Sequence, residues 1–100
     1  MSGTPSQIEW ADRIKPLVNA EFDRVAKAIR DVARRQPEHQ RAETLSVVDI
    51  LEEKRDETMA HDEAGYFIRE WRELNDQVRQ IIARDPRYQA IKARRAPSAV

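Results

Sequence analysis

The sequence predicts an all-α fold, and two observations support it. Glycine occurs twice and proline five times in 100 residues, a composition that favours helix over sheet. The second half repeats apolar residues at intervals of three and four, which is typical of a helix packed along another helix. This stripe consists of Ala64, Phe67, Trp71, Leu74, Val78 and Ile81. The length suits one domain, residues 1–100, with a single modest core.

The first helix is predicted over about residues 5–35. Thr4, Pro5 and Gln7 form a capping box, with Thr4 at the N-cap and Gln7 reaching back from the third helical position. An apolar stripe follows at Ile8, Ala11, Ile14, Val18, Phe22, Val25, Ile29 and Val32. Pro16 removes one backbone donor, but the stripe keeps its phase across it. We therefore expect one kinked helix rather than two helices that meet at Pro16.

The later helices follow from similar signals. Pro37 ends the first helix, and a second is predicted over about 40–60, with an inner face that includes Leu51. Asp62 is a candidate cap for a third helix over about 62–84, although one continuous helix from about 40 to 84 is the alternative. Asp85 and Pro86 precede a short helix over about 87–93. Together these elements predict a three-helix antiparallel bundle with a kinked first helix and a short C-terminal helix.

Charge and composition narrow the classes of function. The formal charges cancel over the whole chain, but residues 1–40, 41–70 and 71–100 carry net charges of +1, −5 and +4. A globally cationic nucleic-acid binder is therefore not the first interpretation. The chain has no cysteine, no visible signal peptide and no apolar run of membrane-spanning length. We expect a cytoplasmic protein.

The acidic middle segment contains one candidate site. Asp49, Glu53, Glu57 and His61 follow one another at four-residue intervals, so they share one helix face. Carboxylates and an imidazole can bind a divalent metal, but matching ligands on a facing helix are not evident. We favour a solvated acidic face, and a contact surface for a basic partner is the functional alternative. No metal site or cofactor is predicted.

The basic C-terminal segment contains a second candidate site. Arg87, Lys92, Arg94 and Arg95 could contact nucleic-acid phosphates. The segment lacks a helix-turn-helix pattern, a zinc finger or an aromatic platform for single strands, so a solubilising tail is the preferred interpretation.

The aromatic residues divide into two groups. Phe67 and Trp71 lie on the core stripe, whereas Trp10 and Tyr66 lie beside their stripes. Trp10 either closes the end of the bundle, which we favour, or is an exposed anchor for a partner. The sequence contains no nucleophile elbow and no glycine-rich phosphate loop, so no catalytic residue is predicted and the protein is not expected to be an enzyme.

Two segments resemble those of a known group of proteins. Residues 7–15, Gln-Ile-Glu-Trp-Ala-Asp-Arg-Ile-Lys, are similar to the opening Lys-Gln-Ile-x-Trp-Ala-x-x-Ile-Arg of small bacterial and prophage-type proteins of unknown function. Residues 64–68, Ala-Gly-Tyr-Phe-Ile, are similar to their later Ala-x-x-Trp-Ile segment. Pro16 and the Tyr66-Phe67 pair depart from that pattern. The resemblance implies a small helical accessory protein of a mobile element, and it assigns no site.

The functional prediction is a non-enzymatic helical module for protein–protein interaction, with a phage-type regulator of a host complex as one form of it. Its candidate partner-binding residues are Trp10, Asp49, Glu53, Glu57 and Tyr66. The stripes also leave open a homodimer in which two copies make a larger bundle. A nucleic-acid-associated protein that uses the basic C-terminal segment is the alternative.

Overall fold

The computed structural model describes residues 1–95 and confirms the all-α class. Its helices are α1 (Pro5–Arg34), α2 (Glu38–Met59), α3 (Ala64–Glu70), α4 (Leu74–Ala83) and α5 (Pro86–Arg95). Helix α1 packs against α2, α3 and α4, and α2 also packs against α4 and α5. The antiparallel pair of α1 and α2 is therefore the base on which the three shorter helices lie.

Helix α1 begins with the capping box that its sequence indicates. The Gln7 backbone N–H donates to the Thr4 hydroxyl over 3.2 Å, and the Thr4 backbone N–H donates to the Gln7 side-chain oxygen over 3.0 Å. The helix then continues through Pro16 without interruption. Two helices that meet at Pro16 are thus not observed, and the kink stays a prediction.

Arg41 holds the turn between α1 and α2. Its Nε donates to the Ala33 carbonyl over 3.1 Å, and its Nη2 donates to the Gln36 carbonyl over 3.0 Å. These two carbonyls lie at the end of α1, where carbonyl groups lack the backbone N–H donors that they would meet four residues later inside a helix. The Thr44 hydroxyl also donates a hydrogen bond to the Gln36 side-chain oxygen over 2.5 Å. The start of α2 is thereby fastened to the end of α1.

The third predicted helix, over about 62–84, is instead two helices separated at Trp71. Trp71 adopts φ −114° and ψ 57°, outside helical geometry. Its ring is only 3% exposed and lies 5.7 Å from the ring of Phe22. Its Nε1 donates to the Tyr66 hydroxyl over 3.3 Å. Breaking the helix buries this large aromatic side chain in the core. The described residues thus form five helices, with α3 and α4 in place of the predicted third helix and α5 at the predicted short C-terminal helix.

The connection between α2 and α3 pairs with the first residues of the chain. The Ser2 N–H donates to the Asp62 carbonyl over 2.7 Å, and the Ala64 N–H donates to the Ser2 carbonyl over 2.8 Å. Gly3 then turns the chain into α1 with φ +144°, where a Cβ would lie 3.1 Å from the Ala64 Cβ. Glycine suits this position because it has neither the strain nor the clash of a side chain.

One hydrophobic core joins all five helices. Its buried members are Ala11, Val18, Phe22, Val25, Ala26, Val47, Leu51, Ala64, Phe67, Trp71, Val78, Ile82 and Ile91. The molecule measures 55 × 26 × 19 Å with a radius of gyration of 16.1 Å, whereas a compact chain of this length has about 13 Å. The bundle is elongated, and large apolar side chains of α1 remain exposed, among them Trp10, Leu17 and Val32.

Candidate functional site

Two large apolar side chains of α1 point into solvent. Trp10 is 55% exposed and Leu17 is 56% exposed. They are seven residues apart, which places them on one side of the helix, two turns from each other. We name these two residues the α1 patch. Core closure, the favoured sequence interpretation of Trp10, does not fit this degree of exposure.

Ion pairs border the α1 patch. Arg13 donates to Glu9 over 3.0 Å, and Arg24 binds Glu21 through its Nε at 3.0 Å. The hydrogen bonds that Arg24 donates to the Glu21 carboxylate raise the pKa of Arg24 above its ordinary value. An apolar centre with a polar border is the usual anatomy of a protein-binding surface.

The acidic and basic candidate segments bind each other. Arg87 donates through Nη1 to Glu53 over 2.7 Å, and Arg94 donates through Nη2 to Glu43 over 3.2 Å. Helix α5 thus lays basic side chains against acidic side chains of α2. In the sequence the two segments are separate candidates, because nothing in the local pattern places α5 beside α2.

Asp85 is the centre of this charged interface, whereas the sequence pattern identifies it only as a residue that precedes the short C-terminal helix. Its carboxylate is buried and accepts from the Arg87 backbone N–H at 2.8 Å, which caps α5, and from the Arg87 Nε at 3.0 Å. Lys54 approaches the other oxygen at 3.4 Å. The Arg87 guanidinium holds the pKa of Asp85 well below its usual range, and the Asp85 carboxylate raises the pKa of Arg87. The sequence does contain a signal for the capping role of Asp85, because Asp followed by Pro is a typical start of a helix.

The remaining acidic candidates are not gathered into a ligand set. Asp49 is exposed with no ion pair among residues 1–95, while Glu57 lies 4.0 Å from Lys54. The His61 ring stacks on Tyr66 with 3.5 Å between ring centroids. Within the described part of the chain, no three histidine, cysteine or acidic side chains are placed to hold a metal ion.

Tyr66 and the basic end of the chain complete the set of candidates. Tyr66 is half-buried, and its ring stacks on His61. Its hydroxyl accepts a hydrogen bond from Trp71, so the side chain stabilises the connection between α3 and α4. Lys92 is exposed on α5. The Arg95 side chain lies outside the described residues.

A groove runs between α1, α2, α4 and α5, and no motif in the sequence indicates it. It has a volume of about 430 Å³ and is mainly apolar. Its lining consists of Val25, Ala28, Ile29, Val32, Gln36, Thr44, Val47, Arg79, Ile82 and Tyr88. Val32 is 50% exposed and marks the open side. We call this cavity the groove.

Comparisons with protein-family models, with curated proteins and with solved structures found no match to this chain. None of the helices in the described range is long and apolar enough to cross a membrane. A functional interpretation therefore rests on the surfaces described above.

Proposed function

We propose that this protein is a non-enzymatic module of the cytoplasm that binds a partner protein by helix-face association through the α1 patch. The observation that carries the proposal is the exposure of Trp10 and Leu17, each more than half accessible and both on one side of α1.

Burial energetics support a binding role for this pair. Covering a large apolar side chain is worth roughly 1.5–3 kcal/mol, and tryptophan is among the residues most enriched at binding hot spots. Helix α1 is 30 residues long and is packed against three other helices, so both side chains are presented by a rigid element. Little conformational order has to be created when a partner binds, which favours affinity.

The charged segments are weaker candidates for the main contact. Glu53 and Arg87 already satisfy each other, and so do Glu43 and Arg94, so a partner would have to displace these pairs. Asp49 is the acidic candidate best placed for a secondary contact, because it is exposed and has no ion pair in the described chain. Regulation of a host complex by a mobile-element protein, as the resemblance implies, is one form of this proposal.

Site-specific photocrosslinking tests the proposal. A photoreactive amino acid replaces Leu17 in the cells that make the protein, and the matched control carries it at the exposed Glu57 of the acidic face. We expect one discrete crosslinked protein from position 17, either a partner or a second copy, and its loss when Trp10→Ala is added. A discrete product from position 57 alone would assign binding to the acidic face. No product from position 17 would contradict the proposal.

A further inference from the structure

The groove is a separate surface from the α1 patch, and its walls suit a small apolar molecule. Apolar side chains of three helices form most of it, among them Val25 and Ile29 of α1, Val47 of α2 and Ile82 of α4. Its volume of about 430 Å³ lies in the range of about 300–1,000 Å³ that ligand pockets occupy. The groove can therefore enclose an alkyl chain or a ring.

The polar groups of the groove differ in how they are satisfied. Gln36 and Thr44 are joined by their own hydrogen bond at 2.5 Å, beside the turn between α1 and α2. The Arg79 guanidinium, by contrast, has no ion pair or hydrogen bond with any side chain that the structure describes, and the Tyr88 hydroxyl has no hydrogen bond to one. Both groups therefore remain able to bind a ligand.

The charge of the side chains that line the groove determines which charge of ligand it favours. Arg79 is the one ionised side chain among the described residues that line the groove, and no carboxylate accompanies it. A guanidinium offers a planar fork of donors that matches a carboxylate in a bidentate arrangement. An apolar cavity with one unmatched cation is thus complementary to a molecule with an apolar body and one carboxylate.

We propose that the groove binds an amphipathic monocarboxylic acid of medium chain length. The apolar chain lies against Val25, Val47 and Ile82, and the carboxylate pairs with the Arg79 guanidinium at the rim. The Tyr88 hydroxyl is the second donor available to the carboxylate. This binding is independent of the α1 patch, so either proposal can fail without the other.

Octanoate and octan-1-ol are the probes, because they share one chain and differ in charge. Both are titrated below micellar concentration into the methyl-labelled protein and followed by NMR. We expect octanoate to shift the methyl signals of Val47 and Ile82. Arg79→Gln should weaken octanoate binding about tenfold, in line with the loss of one charged hydrogen-bonding group, and leave octan-1-ol unchanged.

Two further variants control the experiment. Arg72→Gln removes another exposed arginine with no ion pair in the described chain, outside the groove, and should bind octanoate as the parent protein does. Ala28→Trp fills the groove from an exposed position of α1 and should abolish the binding of both probes. Circular dichroism confirms that each variant is folded.

Three outcomes would overturn the inference. The first is the absence of any octanoate-dependent shift at the groove methyls. The second is equal octanoate affinity in Arg79→Gln and Arg72→Gln, which would show that the cation has no role. The third is a shift centred on Leu17, which would show adsorption to the α1 patch. A crosslink from a photoreactive residue at Val32 to a protein, without octanoate binding, would make the groove a protein-docking site instead.

Discussion

The interface between α2 and α5 differs from the outer face of α1. Charged side chains are paired at the interface, whereas large apolar side chains are left exposed on α1. Between α2 and α5, Asp85, Arg87 and Glu53 find partners within the chain at hydrogen-bonding distance. On α1, Trp10 and Leu17 remain more than half exposed. Charged residues make up 36% of the chain. Those between α2 and α5 form ion pairs within the protein, whereas the apolar side chains on α1 have no such internal partner. Large apolar side chains exposed together on one side of a helix are candidates for a binding surface.

The largest expected effect separates the two tryptophans. Trp71→Ala removes a ring that is 3% exposed and packed 5.7 Å from Phe22, so the free energy of unfolding should fall by about 3–5 kcal/mol. Urea denaturation followed by circular dichroism measures this loss. Trp10→Ala is the matched control, with an expected change within about 0.5 kcal/mol. Equal losses of unfolding free energy in the two variants would contradict the assignment of Trp71 to the core and of Trp10 to the exposed α1 patch.

Asp85→Asn is expected to have the next largest effect. The variant keeps a side chain that can cap α5 but leaves Arg87 and Lys54 without their shared carboxylate, so it should lose about 1.5–3 kcal/mol of stability at pH 7. Asp49→Asn is the control, because that carboxylate is exposed and has no ion pair in the described chain. A loss in Asp49→Asn as large as in Asp85→Asn would disprove a special role for Asp85.

The same carboxylate gives a pH dependence of defined sign. The folded-state pKa of Asp85 is lowered, so its stabilisation is fully present above the unfolded-state pKa, which is about 3.9. It is lost as the pH falls below that value towards the folded-state pKa. The difference in unfolding free energy between the parent protein and Asp85→Asn should therefore be constant from pH 7 to about pH 5 and shrink below about pH 4. A difference that grows as the pH falls would have the wrong sign.

A double charge reversal tests whether α2 masks the basic residues of α5. The variant Glu43→Lys with Glu53→Lys removes the carboxylate that accepts from Arg94 and one of the two carboxylates that accept from Arg87. Gel-shift assays at low salt should show little nucleic-acid binding by the parent protein and at least about tenfold tighter, strongly salt-dependent binding by the variant. Asp12→Lys with Glu70→Lys makes the same change in net charge at exposed positions of α1 and α3, which do not contact α5, and should bind more weakly. Tight binding by the parent protein would instead favour the nucleic-acid alternative.

The smallest expected effect on stability is that of Leu17→Ala. Its side chain is 56% exposed, so the free energy of unfolding should change by less than about 0.5 kcal/mol. Crosslinking to the partner from a photoreactive residue at position 10 should nevertheless decrease strongly, because half of the apolar patch is gone. Unchanged crosslinking with unchanged stability would show that Leu17 does not belong to the binding surface.

Local signals account for the parts of the fold that were predictable. The capping box at Thr4 is a short-range hydrogen-bond pattern, and apolar spacing identified core residues such as Phe22, Phe67 and Val78. The break at Trp71 was not predictable in this way, because no glycine, proline or capping residue stands there. It results from tertiary packing of the indole ring beside Phe22.

The candidate site was only partly predictable for the same reason. Trp10 was singled out because it lies beside its stripe, and Leu17, two turns further on, could have been found from the same seven-residue interval. The pairing of Glu53 with Arg87 joins residues 34 positions apart, so it depends on where α5 packs. The groove needs four helices to be placed at once, which no single periodicity specifies.

Tryptophan fluorescence quenching tests the central claim most directly. Trp71→Phe leaves Trp10 as the sole tryptophan, and Trp10→Phe leaves Trp71. Acrylamide should quench Trp10 strongly and Trp71 weakly in dilute solution, and Trp10 should become protected when the binding partner or a second copy covers the α1 patch. If Trp10 is quenched as weakly as Trp71 at every protein concentration, the patch is closed and the proposed binding surface does not exist.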